Sequence, residues 1–155
     1  MIDNKFKAAP MDTTAKVVTI LLILIAGAFP FLPEMPLYTI VFLPALVFVT
    51  WLFSVNGFTL QEQQLIVHRP FWNTEIQLPS DVIVEVEPEI KKRLFKTMGN
   101  GGMFGYTGSF RNKKLGNFKA YATNWSYAIS IRSKTTGFCI VVTPEETEYF
   151  LSSFR

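Results

Sequence analysis

The side chains that reaction chemistry would draw on first are few in this 155-residue chain: one histidine, one cysteine and a short row of glutamates. A Ser-His-Asp arrangement would have to use His68, and a two-histidine metal site is excluded within one chain. His68 follows Val67 and precedes Arg69-Pro70 in a strand-like stretch, which points to a surface or hydrogen-bonded imidazole. Cys139 has no partner for an internal disulfide and cannot assemble a thiolate cluster. Between Phe138 and Ile140 it reads as a small buried hydrophobe. Glu85, Glu87 and Glu89 would stand about 6 to 7 Å apart along a strand, within the range over which paired carboxylates do acid and base work. The same row arises when an alternating strand turns one face to water, and Pro88 breaks it before Glu89. No catalytic residue, cofactor or metal is expected, and the chain does not read as an enzyme.

Two other constellations remain. Residues 91–134 hold ten Lys and Arg, and from Ile90 to Pro144 there is no acidic residue. Such one-sided charge beside a bilayer attracts anionic lipid at about 1 kcal/mol per basic residue near the surface. A solvated face that only obeys the positive-inside bias has the same composition. Within this segment, Gly99, Gly101, Gly102, Gly105 and Gly108 alternate with Met103, Phe104, Tyr106 and Phe110. Neither nucleotide fingerprint spacing occurs, so no phosphate-cradling loop is expected. The glycines read as sites of positive φ or close backbone approach, with aromatics that pack on the domain or meet a membrane or partner. The candidate lipid- or partner-binding residues are Lys91, Lys92, Arg93, Lys96, Phe104, Tyr106, Phe110, Arg111, Lys113 and Lys114.

The elements that must position these residues fall into three parts: a segment 1–16, a two-helix hairpin 17–55, and a domain 56–155. The apolar runs 17–32 and 37–55 flank Pro33-Glu34-Met35-Pro36. A bilayer core asks for about 17 to 25 helical residues. The second run meets that, and the first does so with Ala15 and a snorkelling Lys16. Asp12 is a plausible N-cap. Pro44 is expected to kink the second helix, and Tyr38 and Trp51 to mark its two interfaces. Lys5, Lys7 and Lys16 precede the hairpin and twelve Lys and Arg follow it, so both ends are expected to be cytoplasmic. Ala26-Gly27-Ala28 resembles a signal-peptide cleavage site, the rival reading, but apolar character resumes at Phe29. That arrangement predicts a multi-pass membrane protein with its domain in the cytoplasm.

After Asn56-Gly57 short strands are expected at 58–60, 65–69, 73–78 and 82–87, then, past a long interruption, at 117–122, 126–133 and 137–143. Thr143-Pro144-Glu145-Glu146 predicts a capped terminal helix with Phe150, Leu151 and Phe154 on one face. Asn124-Trp125-Ser126 fits the glycosylation pattern, silent in a cytoplasmic domain.

Seven strands and a terminal helix make the layout of a pleckstrin-homology-like (PH-like) split barrel. The run Gly101 to Phe110, with Asn112 and Leu115 to Thr123, resembles the glycine-aromatic segment of bacterial PH-like domains found behind membrane spans. The resemblance covers roughly 56–155 and implies a binding or scaffold module without a reaction. Lipid-reading PH domains usually carry bases between their first two strands, where this chain has Gln61-Glu62-Gln63-Gln64, so a phosphoinositide pocket of that type is not expected. With the topology above, the resemblance implies a bacterial inner (cytoplasmic) membrane, and the favoured expectation is a membrane-tethered domain that meets a protein partner or anionic headgroup. The alternative is a structural subunit of a homo-oligomer or larger membrane complex with no ligand pocket. No nucleic-acid partner is expected.

Overall fold

The computed structural model describes residues 4–33, 36–92 and 94–154. Glu34 of the inter-helix turn and Arg93 of the basic segment lie outside the described residues. Ten strands, three more than expected, form two sheets among the described residues. The first sheet runs β1 (Asn4–Lys7), β2 (Gly57–Gln61), β3 (Gln64–His68), β4 (Asn73–Gln77). The second holds β5 (Val82–Val86), β6 (Phe95–Gly101), β7 (Tyr106–Asn112), β8 (Gly116–Ala122), β9 (Ile129–Ser133) and β10 (Cys139–Val142), in the order β5-β9-β10-β8-β7-β6. β8 and β10 are parallel, and every other pair is antiparallel.

The three additional strands are those whose alternation is hidden. β1 has four residues and buries only Phe6, too short a signal for periodicity to reveal. It pairs antiparallel with β2, Phe6 opposite Phe58, so the segment before the apolar helices belongs to the domain's own sheet. β6 and β7 occupy the stretch read as an interruption. Their glycines, and a register shift between Lys96 and Met98, break the pattern that a period of two would need. At Gly99 and Gly108, which face each other across the two strands, an added Cβ would lie 2.3 Å from a carbonyl oxygen of the opposite strand.

The sheets pack face to face over one core. Phe58, Leu65 and Val67 of the first sheet meet Ile129, Ile131, Ile140 and Val142 of the second, and Phe150 closes the end. A second core lies on the other face of the large sheet, where Tyr106, Phe110, Phe118, Ala120 and Val141 surround Trp125. β10 is therefore buried on both faces, which accounts for its unbroken run Ile140-Val141-Val142. The terminal helix, α3 (Thr147–Ser152), covers the first core as a lid, but its N-cap position is Glu146, without a side-chain hydrogen bond. Thr143 is not the cap. It is fully buried, and its Oγ1 accepts from the Thr123 amide at 2.9 Å, joining β10 to β8.

Between β1 and β2 come α1 (Thr13–Ala28), a 3-10 turn (Phe29–Phe31) and α2 (Leu37–Leu52), which runs through Pro44. Residues 13–31 are the one stretch among those described that is long and apolar enough to cross a membrane by length and composition, and α2 is shorter at 16 residues. Asp12 caps α1 as expected, its Oδ1 accepting from the Ala15 amide at 2.8 Å. The approach to α1 is pinned rather than slack. The Ala9 amide donates to Thr143 O, the Asp12 amide to Thr123 O, and Asn124 Nδ2 to Pro10 O. α2 leaves through Phe53, whose carbonyl accepts from Arg69 Nη1 at 2.5 Å.

Candidate functional site

The glycine-aromatic segment lies against the first turns of α1, and this junction brings together several of the residues singled out by sequence. Phe104, at φ 55, donates its amide to Thr19 Oγ1 at 2.8 Å, and Gly102 approaches Val18. The Phe104 ring lines a 340 Å³ apolar cavity between the helices, with Ile23 and Gly27 on one side and Phe48 and Trp51 on the other. Tyr106 donates its hydroxyl to Asp12 Oδ1 at 3.0 Å, and Lys91 Nζ lies 3.2 Å from Asp12 Oδ2. Burial, reinforced by the Asp12 carboxylate, pushes the Tyr106 phenol well above its ordinary range, so it stays a donor. Asp12 is thus cap, acceptor and counter-ion together, a junction between α1, β7 and the basic segment.

The aromatics divide. Phe110 stacks on Phe118 and meets Trp125 edge-on, and both Tyr106 and Phe110 are buried in the second core. Their rings are structural, whereas Phe104 is turned toward the helices.

The basic residues divide as well. The acids missing from their stretch of sequence lie just before it or arrive from elsewhere in the fold. Lys92 pairs with Glu89 at 2.5 Å and Lys114 with Glu87 at 2.8 Å. The Glu89 carboxyl is held below its usual range, first by the Lys92 hydrogen bond and then by the Lys92 charge. Lys96, Arg111 and Lys113 have no acidic partner among the described residues. The glutamate row expected to face water is spent in the same way. Glu85 meets Arg132 at 2.5 Å, and Glu87 is buried between Lys114 and Ser130. These are ion pairs with a cation at each carboxylate. His68 bridges Thr59 and Asn73 through its two ring nitrogens, the hydrogen-bonded imidazole expected.

A second cavity takes Gly99, Met103 and Gly108 from the glycine run, and its other lining residues are not among the candidate binding residues read from the sequence. It measures about 650 Å³ and lies between α2 and β6, β7 and β8, on the face of the large sheet that also carries the first core. Its roof is apolar, from Leu46, Val49 and Phe53, and its floor is the alternating set Asn100, Thr107, Ser109, Lys119 and Tyr121. Strand register explains that floor: Ser109 sits opposite Lys119 and Thr107 opposite Tyr121, while Phe118 and Ala120 point the other way into the core. Arg69 stands at the margin, donating to Thr74 Oγ1 and Phe53 O, with its guanidinium 5.5 Å from the Phe53 ring centre and 5.7 Å from that of Tyr121. Burial lowers its pKa from the usual arginine value. The same β3–β4 turn carries Phe71, 70% exposed and edge-on to Trp51, and Trp72, edge-on to Phe53. The signal in the sequence was the turn Arg69-Pro70-Phe71-Trp72 itself, since two large aromatics are out of place in a polar turn.

A family model described as Bacterial PH domain matches residues 56–155. No curated protein and no solved structure matches the chain. β1, which completes the first sheet, falls outside the matched residues.

Proposed function

This chain belongs to the bacterial PH domain family, and from that membership we propose that it is a membrane-tethered binding or scaffold domain held at the cytoplasmic face by a two-helix anchor. The observation that carries the reading is the pairing of β1 with β2. The helices are an insertion between two neighbouring strands of one sheet, so both helix roots lie on the domain's side of any bilayer the helices enter. The lysine bias around the helices then assigns that side to the cytoplasm. Lipid-facing character supports it: Ile20, Leu21, Leu24, Leu37, Val41 and Phe42 are all more than half exposed. At the roots, Trp51, Phe53, Phe71 and Trp72 form an aromatic cluster of the kind that settles at a headgroup boundary. A leader cut after Ala28 would carry away β1 and Asp12, both built into the domain.

Family membership implies protein or lipid contact rather than a reaction. Of the candidate bases read from the sequence, Lys96, Arg111 and Lys113 have no acidic partner among the described residues, and they are the contact surface for a protein partner or anionic headgroups. Single-cysteine accessibility in a Cys139→Ser background tests the topology. Glu34→Cys should react with a membrane-impermeant maleimide on intact cells, and Arg155→Cys only after lysis. Labelling of residue 155 from outside would overturn the reading.

A further inference from the structure

The cavity beneath α2 joins two surfaces that seldom meet without purpose: an apolar helix flank and a polar sheet face with two cations. We propose that it seats the phosphate headgroup of one anionic phospholipid, bound by Arg69 and Lys119, while the acyl chains stay in the bilayer along Leu46, Val49 and Phe53. The inference rests on the membrane-tethered reading, because α2 must lie among lipids for a chain to reach the roof.

Three observations support it. Arg69 is half-buried, and neither it nor Lys119 forms an ion pair among the described residues. A guanidinium taken partly out of water gains most from an anion that restores its counter-charge, and phosphate oxygens match its fork of donors. The floor beside the two cations is neutral and polar, from Asn100, Thr107 and Ser109, with no carboxylate among the described residues that line the cavity to repel a phosphate. The roof residues Leu46, Val49 and Phe53 are each 45–47% exposed, an apolar surface that the domain itself does not cover. A cavity of about 650 Å³ is within the usual range for a small-molecule pocket. Glu75 lies on the continuation of the groove past Lys119, and it is engaged by Gln64 Nε2. The site shares no residue with the β2–β3 turn or with Lys96, Arg111 and Lys113.

The test uses the full chain, released from nanodiscs containing equal phosphatidylglycerol and phosphatidylcholine and read by native mass spectrometry. The parent should retain one phosphatidylglycerol in preference to phosphatidylcholine. Arg69→Gln and Lys119→Gln should each lower that retention about tenfold or more, the worth of a charge-assisted hydrogen bond. Because Arg69 also holds the Phe53 carbonyl, Lys119→Glu is the decisive variant. The Lys119 side chain is exposed and has no ion pair to lose among the described residues, so a folded protein that no longer retains the lipid is expected. Lys134→Gln, at an exposed turn residue that does not line the cavity, should keep it. Equal retention of the two lipids, or undiminished retention in Lys119→Glu, overturns the site while leaving the tether intact. Release of the chain from membranes by alkaline carbonate would instead overturn the tether.

Discussion

Replacing Gly108 by alanine should be far more damaging than the same change at Gly116, although both glycines have positive φ in the same sheet. Gly108 sits at φ +133 opposite Gly99, and a Cβ there would stand 2.3 Å from Met98 O and 2.7 Å from Gly99 Cα. Both contacts are with backbone, which has no rotamer to yield. Gly116 is at φ +70, and a methyl group added there would meet nothing within 4 Å, so only its conformation is penalised. A non-glycine residue in the left-handed region costs about 1–2 kcal/mol, which is the expectation for Gly116→Ala. For Gly108→Ala a strained conformation at about 1–3 kcal/mol adds to overpacking at about 1–3 kcal/mol. The total, about 2–6 kcal/mol, is a large share of the 5–15 kcal/mol that typically holds a domain together. Relief would require β6 to move off β7, which would also shift the loop that carries Phe104 to Thr19. Unfolding of the full chain in detergent, followed by fluorescence of Trp125, which packs on Tyr106 and Phe110, reads this core directly. The loss in Gly108→Ala should be at least about twice that in Gly116→Ala. Equal losses would show that the close approach of β6 and β7 does not constrain the protein, and the reasoning from backbone contact would fail.

Thr143→Ala should cost about 1–3 kcal/mol by leaving the buried Thr123 amide without an acceptor, and Thr143→Ser should recover most of it; helix content that falls without a loss in unfolding free energy would return Thr143 to a capping role. Tyr106→Phe should cost about 1.5 kcal/mol, the lower end for a hydrogen bond to a carboxylate, because Ala15 and Lys91 still serve Asp12; an unchanged midpoint would mean the junction is held by packing alone. Hydrogen bonds from Thr135 and Ser133 hold the Asp81 carboxyl below its usual value, so its contribution is present above the unfolded pKa of about 3.9 and lost as pH falls through the lower folded value. Asp81→Asn should flatten the acid limb of the melting profile, and parallel limbs would contradict this. Burial raises the Cys139 thiol to about 11, so stability is full below the unfolded value of about 8.5 and declines as pH rises from there through the folded one. Cys139→Ala should lessen that alkaline decline.

By itself the sequence determined what local pattern can determine. Val82, Val84 and Val86 alternating with their neighbours declare a half-buried strand, although Val86 at its end is exposed, Lys134 to Gly137 declares a hairpin turn, and Asp12 ahead of an apolar run declares a capped helix. Helix and turn signals lie within a few residues of each other, so no partner is needed to recognise them. The family resemblance was legible for the same reason, in the glycine-aromatic segment. What tertiary structure alone decided is pairing at long separation. β1 is a strand only because β2, some fifty residues on, offers it a ladder, and four residues cannot declare that alone. β6 and β7 are strands because two glycines let backbones approach where alternation fails. The basic stretch looked unopposed because charge was counted along the chain, whereas Coulomb attraction acts through space: Asp12 and Glu87 reach Lys91 and Lys114 from distant positions, and Glu89 sits just outside the stretch, three residues before Lys92. Beyond the aromatic turn at Arg69, the cavity has no linear signature, since α2, the β3–β4 turn, β7 and β8 meet there only when the sheets have packed.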